Sequence, residues 1–141
     1  MVENKIKYTE DFVNDIVSKL SMEVEEFEKD IVTPFLSEYA NLKKEFSKVS
    51  ISPIGAKKQY IALFVPLDKK IDKYINLLKD KEMEIRNYFN QRINRLKNRE
   101  TFDYINNLSN EGEKCKDIIS QGIIKLESLK ERLNSLKHQI S

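Results

Sequence analysis

The sequence contains one thiol, Cys115, and one imidazole, His138. A lone Cys forms no disulfide within the chain, and one Cys with one His is too few for a Cys/His metal site. Cys115 falls on an apolar helical seam, where a small thiol fills space in a core. His138 falls in the last turn of a helical pattern, where a solvated imidazole complements the helix dipole. The acidic cluster Glu23, Glu25, Glu26 and Glu28 lacks the Glu-x-x-His spacing of di-iron bundles and reads as a solvated face. There is no Gly-rich phosphate loop and no Ser elbow. Tyr60, Tyr74 and Tyr88 would line a pocket only as a by-product of packing. The expectation is a protein that is not an enzyme, with no catalytic, cofactor-binding or metal-ligating residue, no cofactor and no small-molecule substrate.

Two stretches stand out for binding rather than reaction. Tyr60-Ile61-Ala62-Leu63-Phe64-Val65-Pro66-Leu67 carries no charge over eight residues. A helix in a small bundle needs one apolar stripe, and this run is apolar all round. Ile61, Leu63, Phe64, Val65 and Leu67 are therefore the expected partner interface, because exposed apolar patches mark contacts. The second stretch holds Arg86, Arg92, Arg95, Lys97 and Arg99 in fourteen residues without an acid, a candidate patch for an anion or an anionic lipid. No stacking aromatics are interleaved with these arginines in the manner of a nucleic-acid platform, and Asp11, Asp15 and Glu113 are positioned to neutralise part of the charge.

The elements that must carry these residues are helices. Among 141 residues only three are Gly and three Pro, too few for a β-sandwich, and no apolar run approaches the length of a membrane span. From Thr9 to Val49 the apolar positions Ile16, Leu20, Val24, Phe27, Ile31, Phe35, Tyr39, Leu42, Phe46 and Val49 follow a period near 3.6. Thr9 with Glu10 and Asp11 resembles a helix start. Tyr60, Phe64, Leu67, Ile71, Ile75, Leu78, Ile85, Phe89, Ile93 and Leu96 form a second stripe, interrupted at Glu82. In a third segment Ile105, Ile119, Leu126, Leu133 and Ile140 interlock by sevens with Leu108, Leu129 and Leu136, and Gly112, Cys115 and Gly122 fill the gaps.

Helices are thus expected over approximately 9–49, 53–97 and 101–140, in one domain over 1–141. The fold class is all-α, an elongated antiparallel three-helix bundle or coiled coil. Its first two helices are kinked at Pro34 and Pro66. The break at Ser50–Gly55, with Ser52 capping Pro53, suggests a hairpin mirrored about residue 50 that levels the two prolines and sets Glu25, Glu26, Glu28 and Asp30 opposite Lys70 and Lys73. A competing turn at 109–112 would shorten the third helix; the one at 98–101 equalises the three. Net charge runs −4, +6 and 0 over residues 1–49, 50–100 and 101–141.

Val13, Val17, Val32, Ile61, Val65, Ile118 and Ile124 lie beside the main stripes and widen the sticky face. The functional expectation is a non-enzymatic interaction or scaffold module that self-associates or binds a helical protein partner. A peripheral protein on an anionic membrane is the alternative, and a nucleic-acid accessory is the less favoured third. A start without a hydrophobic leader and a single Cys point to the cytoplasm.

Overall fold

The structure is a computed structural model and describes residues 2–46 and 54–141. The chain runs through α1 (Val2–Phe27), a π-helical turn (Glu28–Val32), α2 (Thr33–Phe46), α3 (Ile54–Leu96) and α4 (Phe102–Ile140). Among the described residues there is no strand. The chain is an all-α bundle. Of the break expected at 50–55, residues 50–53 lie outside the described residues, as do the side chains of Leu42, Phe46 and Val49, while Ile54 and Gly55 already belong to α3.

Helix α1 starts at Val2 rather than at Thr9. Nothing in residues 2–8 breaks a helix, and Thr9 is completely buried, its hydroxyl donating to the Lys5 carbonyl at 2.8 Å. A threonine can satisfy itself inside a helix through this bond to the turn before it, so the hydroxyl does not mark a start. Thr101 does. Its Oγ1 accepts from the Tyr104 N–H at 3.2 Å, one residue ahead of α4. The turn between α3 and α4 is therefore the one expected at 98–101, observed over 97–101, and Gly112 sits inside α4, buried for packing.

Pro34 is met by the π turn. Thr33 has helical φ and ψ and donates its N–H to the Glu28 carbonyl, five residues back. The wider turn relieves the proline ring of the carbonyl it would otherwise strike. It also takes in one residue more than an α turn, which rotates the face that follows. Val32 is 1% exposed, whereas Ile31 is only half-buried, so the expected stripe residue Ile31 yields its core place to Val32. Helix α3 is continuous through Pro66. Pro66 and Ala62, whose carbonyl the proline cannot bond, are both exposed.

The described helices fall into two compact units. Unit 1 comprises Met1–Ser18 and Lys73–Leu126; unit 2 comprises Lys19–Asp72 and Glu127–Ser141. In unit 1 the core is built from Val13 and Ile16 of α1, Ile75, Leu78, Ile85 and Phe89 of α3, and Leu108, Cys115, Ile119 and Leu126 of α4. Glu82, the polar gap in the α3 stripe, accepts a 3.2 Å hydrogen bond from Arg86 one turn on. In unit 2 the core is built from Leu20, Val24, Val32 and Phe35, from Phe64 and Ile71 of α3, and from Leu133, Leu136 and Ile140 of α4. Each fully buried Leu or Ile contributes roughly 1.5–3 kcal/mol through removal of apolar surface from water.

The facing pairs correct the residue-50 mirror. That mirror would set Glu23 opposite Leu77 and Phe35 opposite Val65. Instead Glu23 takes Lys70 at 2.7 Å and Phe35 packs on Tyr60 with ring centroids 4.1 Å apart. Pro34 and Pro66 therefore do not share a level. Glu28 reaches Arg132 of α4 rather than a lysine of α3, and Lys130 pairs with Asp72 at 2.6 Å. The register expected from the charge pattern is thus replaced by another, in which the bridges across the helices of unit 2 run Glu23–Lys70, Asp72–Lys130 and Glu28–Arg132. In unit 1 the ion pairs among the described residues all lie within single helices.

Two glycines of α4 set its distance from its neighbours in unit 1. A Cβ on Gly122 would stand 2.5 Å from Val13 Cγ1, and one on Gly112 would stand 3.0 Å from Phe89 Cγ. Alanine gains about 1 kcal/mol of helix propensity over glycine, but overpacking costs about 1–3 kcal/mol. Val13 is β-branched and held to one rotamer in a helix, so it yields poorly. Gly122→Ala is expected to destabilise the protein by about 1 kcal/mol in a urea melt, and Val13→Ala is expected to suppress that added cost in the double variant.

Candidate functional site

Phe64, Leu63 and Val65 separate sharply in unit 2. Phe64 is 2% exposed and meets Phe27 edge-on, with centroids 4.8 Å apart. Leu63 is 45% and Val65 44% exposed, on opposite flanks of the same turn. Ile61 and Leu67 are half-buried. A helix that is apolar all round can turn only one side inward, so two greasy flanks remain. Phe64 is thus a core residue rather than a contact residue, which corrects one member of the expected interface.

On one flank Leu63, Pro66 and Leu67 of α3, with Phe27 and Ile31, line a groove of about 430 Å³. Glu23, Glu26, Asp30 and Lys70 also line it, and Lys70 is already paired with Glu23. The groove owes its apolar wall partly to the π turn, which leaves Ile31 outside the core. On the other flank Val65 borders a small cavity of about 110 Å³ with Phe64, Asp68, Lys69, Leu133, Asn134 and Lys137. There Asp68 Oδ1 is buried without a hydrogen-bond partner, and Lys130, hydrogen-bonded to Asp72 with Asp68 close by, is held above its ordinary pKa.

The residues expected beside the main apolar stripes, taken unit by unit, are only in part exposed. Val13 and Val32 are buried, Val17, Ile61 and Ile118 are half-buried, and only Val65 and Ile124 are exposed.

The basic stretch divides. Arg86 is occupied by Glu82. Arg92 sits between two tyrosines: its Nη1 donates to the Tyr88 hydroxyl at 3.4 Å, and a hydrogen bond with Tyr104 of α4, aided by Tyr88, raises its pKa. Lys5 of α1 lies over the Tyr88 ring, 4.7 Å from its centroid. Tyr88, Gln91, Arg92, Arg95 and Leu96 line a groove of about 340 Å³. Lys97 and Arg99 are exposed in the α3–α4 turn. Aromatics therefore do stand among these cations, which corrects the expectation of none: Tyr88 lies in the stretch itself, between Arg86 and Arg92, and Tyr104 comes from α4. Spacing along the stretch alone hid Tyr104, which arrives from another helix. Glu113 is taken by Lys116 at 2.9 Å and does not neutralise the patch.

Cys115 is completely buried, and burial pushes its thiol above the ordinary value, against a hydrogen bond with Thr9 that lowers it. The group is a protonated packing thiol at neutral pH. His138 is exposed near the end of α4. Among the described residues no three His, Cys, Asp or Glu side chains are grouped to hold a metal ion, and no helix is long and apolar enough to cross a membrane.

Comparison of the chain with protein-family models, with curated proteins and with solved structures finds no match.

Proposed function

We propose that this chain is a non-enzymatic helical interaction module, a coiled-coil-like scaffold that associates with a second copy of itself or with a helical protein partner. The observation behind the reading is the groove beside Leu63 in unit 2, whose lining combines apolar Phe27, Ile31 and Leu67 with the carboxylates of Glu23, Glu26 and Asp30. A lining of this kind takes the i, i+3, i+4 anchors of an amphipathic helix, and its carboxylates favour a helix flanked by cations. The chain itself carries its surplus cations between residues 50 and 100, so a second copy supplies the complementary charge. The single buried thiol suits a reducing, cytoplasmic setting.

Sedimentation velocity over the micromolar range tests the reading. The expected result is a concentration-dependent dimer that Leu63→Glu, at a position already 45% exposed, converts to monomer while the far-ultraviolet circular dichroism is unchanged. A chain that stays monomeric at tens of micromolar overturns self-association. A dimer indifferent to Leu63→Glu and Leu67→Glu overturns this groove as the contact.

A further inference from the structure

We propose that the groove lined by Tyr88, Gln91, Arg92, Arg95 and Leu96 in unit 1 is a binding site for a phosphate monoester, independent of the interaction groove of unit 2. Three observations converge on it. Arg92 and Arg95 lie three residues apart on one face of α3, and Lys5 of α1 is drawn to the same place over Tyr88. Among the described residues no carboxylate forms an ion pair with Lys5, Arg92 or Arg95, although Glu100 and Asp103 are near in sequence. Finally, the Arg92 guanidinium is held by hydroxyls rather than by a carboxylate, and its bond from Nη1 to Tyr88 is long at 3.4 Å, so its outer nitrogens keep donor capacity for an anion in the groove.

A guanidinium presents its donors as a planar fork that matches two oxygens of a phosphate. Two such forks with the Tyr88 hydroxyl and the Gln91 amide supply donors for all three terminal oxygens of a monoester dianion. Hydrogen bonds to the hydroxyls of Tyr88 and Tyr104 restrain Arg92, so less rotamer freedom is lost when the anion arrives. At about 340 Å³ the groove has room beyond a bare phosphate, and the apolar Leu96 side offers a place for the organic arm of the ester. The arm can belong to a soluble metabolite or to a lipid headgroup.

Backbone amide NMR titration with glycerol 3-phosphate tests the site. Expected are shifts centred on residues 88–96 and 104, an affinity about tenfold weaker in Arg92→Gln and in Arg95→Gln, and one unchanged in Arg86→Gln, whose guanidinium is engaged by Glu82. Tyr104→Phe removes only the hydroxyl that steadies Arg92 and should weaken binding a few-fold. Co-sedimentation with phosphatidylcholine vesicles carrying phosphatidic acid or phosphatidylglycerol separates the sources. Binding to phosphatidic acid over phosphatidylglycerol assigns a lipid headgroup; binding to the soluble ester without vesicle binding assigns a free metabolite. Absence of shifts, an equal loss in Arg86→Gln, or equal binding to monoester and diester overturns the proposal. Retained circular dichroism in each variant excludes loss of fold as the cause.

Discussion

Leu126→Ala is expected to lower the unfolding free energy by about 2–5 kcal/mol, while Leu129→Ala, three residues further along α4, is expected to cost about 1 kcal/mol. The two leucines occupy the two complementary seam positions of the heptad pattern and are chemically identical, so the pattern alone predicts similar costs and the difference reports burial. Leu126 is completely enclosed in the core of unit 1, and its truncation leaves a cavity as well as removing apolar contact. Leu129 is half-buried, and water can fill the space it vacates. Because a domain of this size is stable by only about 5–15 kcal/mol, the first variant should melt far below the second. Urea denaturation followed by circular dichroism reads both. Equal costs would mean that the seam does not face a core at Leu126.

A second pair of variants tests the π turn. Val32→Asp is expected to cost at least about 3 kcal/mol and to unfold unit 2 at moderate temperature, whereas Ile31→Asp is expected to stay within about 1 kcal/mol of the parent. Period alone predicts the reverse, since Ile31 continues the stripe from Val24 and Phe27 to Phe35. The extra residue in the Glu28–Val32 turn carries Val32 inward, to 1% exposure, and leaves Ile31 at the groove. A carboxylate at 32 would lose its hydration with no partner described beside it, and would either take up a proton or open the packing. At 31 it would join Glu23, Glu26 and Asp30 in water. Thermal melts of the two single variants decide the matter, and a larger loss for Ile31→Asp would restore a continuous α-helix through Pro34.

The all-α class and the third helix were legible because their signals are periodic and redundant. In the α4 seam Leu108, Cys115, Ile119, Leu126, Leu133, Leu136 and Ile140 are all buried, and Thr101 caps the helix where the lengths required. Two kinds of feature escaped. The first is local: Thr9 resembles a cap, and only the hydroxyl bond to Lys5 shows that it is interior, while Pro34 announces a disturbance without saying that an inserted residue will absorb it. The second is register. Mirror symmetry about an assumed turn misplaced Lys70 by seven positions relative to Glu23, because cross-helix alignment depends on side-chain fit that periodicity does not encode.

The candidate sites were legible as stretches and not as sites. A charge-free run identifies Leu63 and Val65, but the division of that run into one buried residue and two exposed flanks follows from which side α3 turns inward. In the basic stretch the composition treats Arg86 and Arg92 alike. Glu82, one turn before Arg86, engages the first, and Tyr104, from a different helix, steadies the second. Contacts at i, i+4 can be anticipated from sequence, as Glu82 and Arg86 could have been; contacts between α3 and α4 require the fold.

The notch at Gly122, which receives Val13, carries no charge. In molar salt, where the Debye length shrinks to about 3 Å, the bridges of unit 2 from Lys70, Lys130 and Arg132 lose much of their grip. A steric peg is blind to ionic strength. The sliding position of α1 against α4 within unit 1 is therefore the alignment that survives in brine.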